Sequence, residues 1–403
     1  MGKLRWAGWT IALSTALVVG WNQTGRADIQ SDRAAAIVVY PHIEVGAPGS
    51  GNDTVIRLSN ANQSNAILAL CFYVNANSHC SGGVNDGQIC NENPGLCTGG
   101  LCVPGWEETD FHIRLTPFQP IQWRASDGLA GDQLPLAVGY CVRNQQRLCA
   151  SDADCNPFPG GECTDSNVGT RIPPVPEVPF QGELRCIAID ENGVPASRND
   201  LKGEALLEIV TPARTDVASY NAIGIQATGA SSGAANELVI GGSSAEYNGC
   251  PNYLILNHFF DTAVDPVPGS ANSITTQLVL VPCSTDYLQQ VPGSATAQYL
   301  VFNEFEQRFS TSKPIRCYDR TQLCRIGTTQ CQNSIFNVSV AGTLTGQTRV
   351  NPIRGSRDPL GAGLLGVAIE LHDVTGAADH RAAFNLHMQG ARAEADTITI
   401  PEP

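Results

Sequence analysis

Phe111-His112-Ile113-Arg114-Leu115-Thr116 alternates apolar and polar side chains at every step. A strand repeats every two residues, so such a segment lays one face on a core and turns the other to water. The alternation returns in Phe336-Asn337-Val338-Ser339-Val340 and in Phe384-Asn385-Leu386-His387-Met388-Gln389. Ile67 to Val74 is apolar on both faces and suits a central strand, and Gln277-Leu278-Val279-Leu280-Val281 is a similar run. Turn clusters separate these runs, among them Gly46-Ala47-Pro48-Gly49-Ser50-Gly51-Asn52-Asp53 and Asp265-Pro266-Val267-Pro268-Gly269-Ser270. No long amphipathic helix is legible.

Short strands joined by turn-rich loops predict an all-β chain, built as two immunoglobulin-like antiparallel β-sandwich domains. The length suits about two domains. They are expected at residues 28–250 and 251–403, with the boundary between about Gly241 and Gly269. A faint repeat agrees with this division. Thr54-Val55-Ile56-Arg57-Leu58 followed by Ala66 to Asn75 is echoed by Thr276-Gln277-Leu278-Val279-Leu280 followed by Ala297 to Asn303.

The first residues read as an export signal over residues 1–27. Lys3 and Arg5 precede an uncharged apolar run from Ala7 to Trp21, and Gly25-Arg26-Ala27 offers a small-residue cleavage site. The run is short for a membrane-spanning helix, and no later segment is long and apolar enough to span. The expected location is extracellular or periplasmic, with cell-surface association open. All 15 cysteines lie beyond the signal and none has C-x-x-C spacing. In an exported chain they predict disulfides rather than a zinc ribbon or thioredoxin-like chemistry. Cys80, Cys90, Cys97 and Cys102 fall in a polar insertion at about residues 78–104, and Cys141, Cys149, Cys155 and Cys163 in a second at about 141–170. Neither holds enough apolar residues for a core, so disulfides must order both. The odd count leaves one thiol free or shared with another chain.

Formal net charge is −14, and removing Lys3, Arg5 and Arg26 with the signal takes it to −17. Such an excess of carboxylates repels phosphate backbones and argues against nucleic acid. Other cell-surface or extracellular components are the remaining partner class.

Val39-Tyr40-Pro41-His42-Ile43, followed by Asp53-Thr54-Val55-Ile56-Arg57-Leu58-Ser59-Asn60, resembles the opening of secreted bacterial β-sandwich proteins of no assigned activity. The stretch from His258-Phe259-Phe260-Asp261 through Leu280-Val281-Pro282-Cys283 to Phe302-Asn303-Glu304-Phe305 is similar to the same group. The resemblance covers most of the mature chain and implies export from a Gram-negative bacterium. It implies no reaction and brings no site residues.

Few residues point to chemistry. Gly229-Ala230-Ser231-Ser232-Gly233 matches G-x-S-x-G but lies among Ala, Ser and Gly with no helix after it. Ser310-Thr311-Ser312-Lys313 matches S-x-x-K without the companion motifs. His372, Asp373 and His380, with Asp379 and His387 nearby, offer ligand types for zinc or another divalent ion, at no recognised spacing. Asp152, Asp154 and Asn156 open like a calcium loop, but Pro157 and Cys163 stand where an EF-hand needs glycine and glutamate. A looser calcium site is what that spacing allows; no other cofactor is implied. The leading expectation is a secreted or surface-associated binding or structural protein without catalysis. The alternatives are a metal- or serine-dependent hydrolase and a calcium- or carbohydrate-binding module.

Overall fold

The computed structural model describes residues 29–402, apart from 92, 130–138, 142–143, 150, 156–161, 164–171, 213, 231–233, 235, 265–272, 356–359 and 374–379. The expected export signal at residues 1–27, Asn156, Asp379 and the Ser231-Ser232 pair therefore lie outside the described residues.

The chain is all-β. The first sheet orders its strands β13 (Ile223–Ile225), β1 (Ile37–Val45), β10 (Phe180–Ile189), β3 (Ile67–Asn75) and β6 (Glu107–Leu115). The second runs β12 (Arg214–Asn221), β11 (Leu201–Thr211), β2 (Asn52–Asn60) and β7 (Pro120–Arg124). A small third sheet joins β14 (Glu237–Ile240), β26 (Asp396–Thr399) and β18 (Thr285–Asp286), the last pair parallel. The fourth contains β20 (Arg308–Arg316), β19 (Ser294–Asn303), β22 (Thr345–Ile353), β15 (Pro251–Phe259) and β25 (His387–Ala391). The fifth contains β16 (Ala263–Val264), β17 (Ser273–Pro282), β23 (Leu364–His372) and β24 (His380–Asn385), with β21 (Asp319–Gln322) paired to β17. Two-stranded ribbons mark the insertions: β4 (His79–Ser81) with β5 (Leu101–Val103), and β8 (Gly139–Cys141) with β9 (Asn144–Cys149). No helix among the described residues is long and apolar enough to cross a membrane.

The expectation of two immunoglobulin-like sandwiches is corrected by how these sheets pack. In a two-layer sandwich each sheet keeps one face in water. Here every residue of β1 and of β3 is buried. Val38, Tyr40, Ala69, Cys71, Tyr73 and Leu184 face one core, which they share with Ile56, Leu58, Trp123, Ala205 and Leu207 of the second sheet. Ile37, Val39, Leu70, Phe72, Val74 and Ile187 face a second core, shared with Leu238, Ile240 and Ile398 of the third sheet. The fifth sheet is likewise buried on both sides. Leu278, Leu280 and Ala368 pack on the fourth sheet, while Val279, Val367 and Ile369 enter the first core. The five sheets are thus disposed like the blades of a propeller, and their cores mix residues from both halves of the chain.

Two strands read from the sequence also change. Phe336 to Val340 gives way to a helical turn at Val338–Ala341, because Asn337 caps it by accepting from the Ser339 N–H (2.9 Å) and Gly342 ends it at φ 72°. The run from Phe384 to Gln389 is two strands. It leaves the fifth sheet after Asn385 and enters the fourth at His387.

Seven disulfides are present. Cys71–Cys186 bridges directly opposed residues of β3 and β10. Cys80–Cys97 with Cys90–Cys102, and Cys141–Cys155 with Cys149–Cys163, tie each insertion to itself. Cys250–Cys283 and Cys324–Cys331 complete the set, and Cys317 is a free, buried thiol. This complement is compatible with an extracellular setting.

In the first core the Trp123 Nε1–H donates to the Tyr73 hydroxyl at 2.6 Å, both groups being buried. Trp123→Phe leaves that hydroxyl without its donor and should destabilise the protein by about 1–3 kcal/mol, plus a contribution from the lost volume. Adding Tyr73→Phe should recover part of the loss in urea unfolding. A double variant no more stable than the single would show that the hydrogen bond does not matter.

Candidate functional site

A cluster of buried polar side chains begins at a bulge in β1. Tyr40 opposes Leu184 and Ile43 opposes Gly182, so β1 carries one extra residue there. Pro41, which has no N–H for the ladder, sits inside it. The bulge reverses the faces of the strand. Ile43 and Val45 now point into the first core, while His42 and Glu44 turn to the other side.

His42 and Glu44 meet residues from distant strands. His42 Nδ1 lies 2.8 Å from the Tyr318 hydroxyl, and Nε2 lies 3.4 Å from Glu44 Oε2. The Glu44 carboxylate takes Arg381 Nη1 at 2.7 Å on one oxygen and Arg320 Nη1 at 3.2 Å on the other. Arg381 also donates to the Leu207 carbonyl (3.2 Å) and lies 3.7 Å from Asp216. The Tyr220 hydroxyl donates to the His42 carbonyl. Burial alone would raise the Glu44 carboxyl, but His42, Arg320 and Arg381 reverse that and hold it far below the usual carboxylate range. Burial pushes His42 down, so its ring is neutral. In that state Nδ1 accepts from Tyr318 and the Nε2 proton faces the carboxylate. The cluster joins the first, second and fifth sheets.

Three of the surface depressions lined by described residues are polar enough to matter here. One, about 630 Å³, is an open groove on the outer face of the second sheet. Cross-strand register sets Gln122, Arg57, Glu204 and Asn221 in one row over β7, β2, β11 and β12. Neighbouring strands are about 4.8 Å apart, so these four polar side chains form a ladder perpendicular to the strands. Arg57 and Glu204 pair at 3.0 Å and stay partly exposed. Ser59, Pro120 and Lys202 form the adjacent row.

A second depression, about 490 Å³, includes His258, Asn303, Glu304 and Glu370. His258 is fully engaged. Nδ1 faces the Phe259 carbonyl at 3.0 Å, which can only accept, so Nδ1 carries the proton and Nε2 accepts from the Thr348 hydroxyl at 2.8 Å. The third, about 250 Å³, lies where Glu44 and Arg320 reach the surface beside the first cysteine-rich insertion.

The residues singled out from sequence fall as follows. Asp152 and Asp154 lie on a 3₁₀ turn. Asp152 accepts from the Cys163 N–H (2.8 Å) and Asp154 from the Ser151 N–H (2.9 Å), so both organise the second insertion. His372 and His380 are directly opposed across β23 and β24. His372 Nε2 lies 2.7 Å from Glu370 Oε1, while the Asp373 N–H donates to the Ser273 carbonyl at 3.4 Å. Ser310 and Lys313 lie three apart on β20, hence on opposite faces, and Lys313 pairs with Asp319 at 2.6 Å. The Arg57 to Asn221 ladder and the Glu44 cluster were not singled out beforehand. The one sequence signal for the cluster is Pro41-His42 inside an otherwise apolar strand.

No protein-family model matches the chain, and no curated protein is significantly similar to it in sequence.

Two stability effects follow. Burial lowers the His258 pKa to about 4. The unfolded chain therefore takes up this proton first, and stability falls as the pH drops from about 6.5 through 4. The loss is on the order of 3 kcal/mol and is checked by an NMR titration in which His258 stays neutral at pH 5. Glu44→Ala leaves Arg381 buried without its carboxylate and should cost about 3–5 kcal/mol in urea unfolding. A change below 1 kcal/mol would exclude the cluster as a support of the fold.

Proposed function

We propose that this is a secreted or surface-associated protein that acts by binding or as structure, without catalysis. The observation that carries the reading is the groove on the second sheet. It is wide and open, and its polar side chains form a straight row across four strands. Such a row suits an extended ligand laid across the strands, held by many modest contacts. A reaction would need a nucleophile and a base converging in a closed pocket. The ion pair lining the groove, Arg57 with Glu204, supplies neither. Export through residues 1–27 fits the disulfide content, and the acidic charge favours extracellular partners over nucleic acid.

A second reading, a metal-dependent hydrolase, rests on His372 facing His380 with Glu370 against His372. Two opposed imidazoles and a carboxylate on one sheet face are ligand types for zinc. A calcium-binding module is less favoured, since Asp152 and Asp154 already accept backbone N–H groups.

The purified chain should be assayed for metal content and for retention on immobilised extracellular polymers, both polysaccharides and polypeptides. The proposal expects sub-stoichiometric zinc, and retention that falls at least tenfold in Arg57→Ala/Gln122→Ala with the melting temperature unchanged. Stoichiometric zinc that is lost in His372→Ala/His380→Ala, together with hydrolytic turnover, would establish the second reading instead.

A further inference from the structure

The 250 Å³ pocket gathers side chains from six separate places in the chain. Glu44 comes from the end of β1, Asn52 from the start of β2, and Asn77 from the segment after β3. Asn91 belongs to the first cysteine-rich insertion, Gln181 to the start of β10 and Arg320 to β21. Its walls are pre-set. Glu44 is only 6% exposed, and its carboxylate is held from behind by Arg381 and His42 and from the side by Arg320. Asn77 donates to Glu177 and to the Pro179 carbonyl (2.7 Å), and accepts from Asn91 Nδ2 at 2.8 Å. Asn91 in turn accepts from the Ser78 N–H at 2.6 Å. The insertion is thereby clamped to the pocket rim, and Cys80–Cys97 and Cys90–Cys102 hold Asn91 from both sides in sequence.

What the pocket can recognise follows from what its walls leave over. The charged side chains that line it are one of each sign, Glu44 and Arg320, paired at 3.2 Å. An ion entering there meets an anion and a cation already paired with each other. The side-chain amides of Asn52 and Gln181 make no hydrogen bond among the described residues, and each offers a donor and an acceptor. Asn91 keeps one free amide hydrogen, and Arg320 has donors beyond those given to Glu44 and Gln277. Val45, Gly46 and Pro179 supply a small apolar surface. The volume lies just below the range usual for drug-sized ligands.

We propose that this pocket binds one neutral, polyhydroxylated ring, a single sugar residue, and that the first cysteine-rich insertion exists to wall it. Each hydroxyl of such a ring both donates and accepts, which matches carboxamides standing beside a fixed carboxylate and guanidinium. The site is separate from the groove on the second sheet, so its failure would leave the groove reading standing.

The test uses the full oxidised chain, with saturation-transfer NMR and calorimetry against neutral hexoses, N-acetylhexosamines, hexuronates and short oligosaccharides of the same sugars. Expected is saturable binding of at least one neutral sugar, with a dissociation constant of about 1 mM or tighter for so small a ligand. Gln181→Leu and Asn52→Leu, both at the rim, should each weaken it at least tenfold with the melting temperature unchanged. Cys90→Ser/Cys102→Ser should weaken it as much. Arg57→Ala in the groove should leave it as it is. Equal affinity for a free sugar and an oligosaccharide end identifies a glycan terminus, and loss on adding a second residue identifies a free sugar; both support the pocket. Absence of saturable binding by any neutral sugar, tighter binding of hexuronates, or affinity unaffected by Gln181→Leu would overturn it.

Discussion

Strands β1, β3 and β10 are covered on both faces, and the rest of the architecture follows from that constraint. A doubly buried sheet needs a partner layer on each side. The second sheet covers one face and the third sheet, with Val281 and Leu365 of the fifth, covers the other. The fifth sheet is itself doubly buried, so it must also be packed from both sides. Apolar burial is non-directional and would tolerate several arrangements of such layers. What selects one is the small set of polar contacts placed between them.

Two of these seams are charged. On one side of β1 the bulge presents Glu44 to Arg320 and Arg381. On the face of the first sheet turned to the second core, Arg185, only 1% exposed, bonds to Glu183 and to the carbonyls of Pro282 and Cys283. Buried ion pairs add little net stability, since desolvation offsets their attraction, but a misaligned partner would leave a charge unpaired. Both seams bridge the early and late parts of the chain. The polar insertions lie outside these layers, and their cores are the disulfides themselves.

Much of the strand content was legible because a period of two is a local property. Phe111 to Leu115 alternates as read, with Phe111, Ile113 and Leu115 inward. Ile67 to Val74 already carried the decisive information, an apolar run with no watery face. It was compatible with a central strand of a sandwich as well as with a sheet covered twice, and one strand cannot choose between them. Where a local capping signal competed with alternation, as at Asn337 and Gly342, the cap won. The site was far less legible. Arg320 and Arg381 reach Glu44 from 276 and 337 residues away, and the groove row is assembled from four strands whose registers no local pattern reveals. The histidines and aspartates that drew attention by composition are mostly held by their own neighbours.

The architecture rests on the two halves of the chain sharing their cores. Native-state hydrogen exchange under increasing denaturant tests this directly, by the opening free energies of amides in β1, β3 and β10 against those in β17 and β23. Shared cores predict one common opening event for all five strands. If β17 and β23 open together at a distinctly lower free energy while β1, β3 and β10 stay protected, the halves are separate units and the account is wrong.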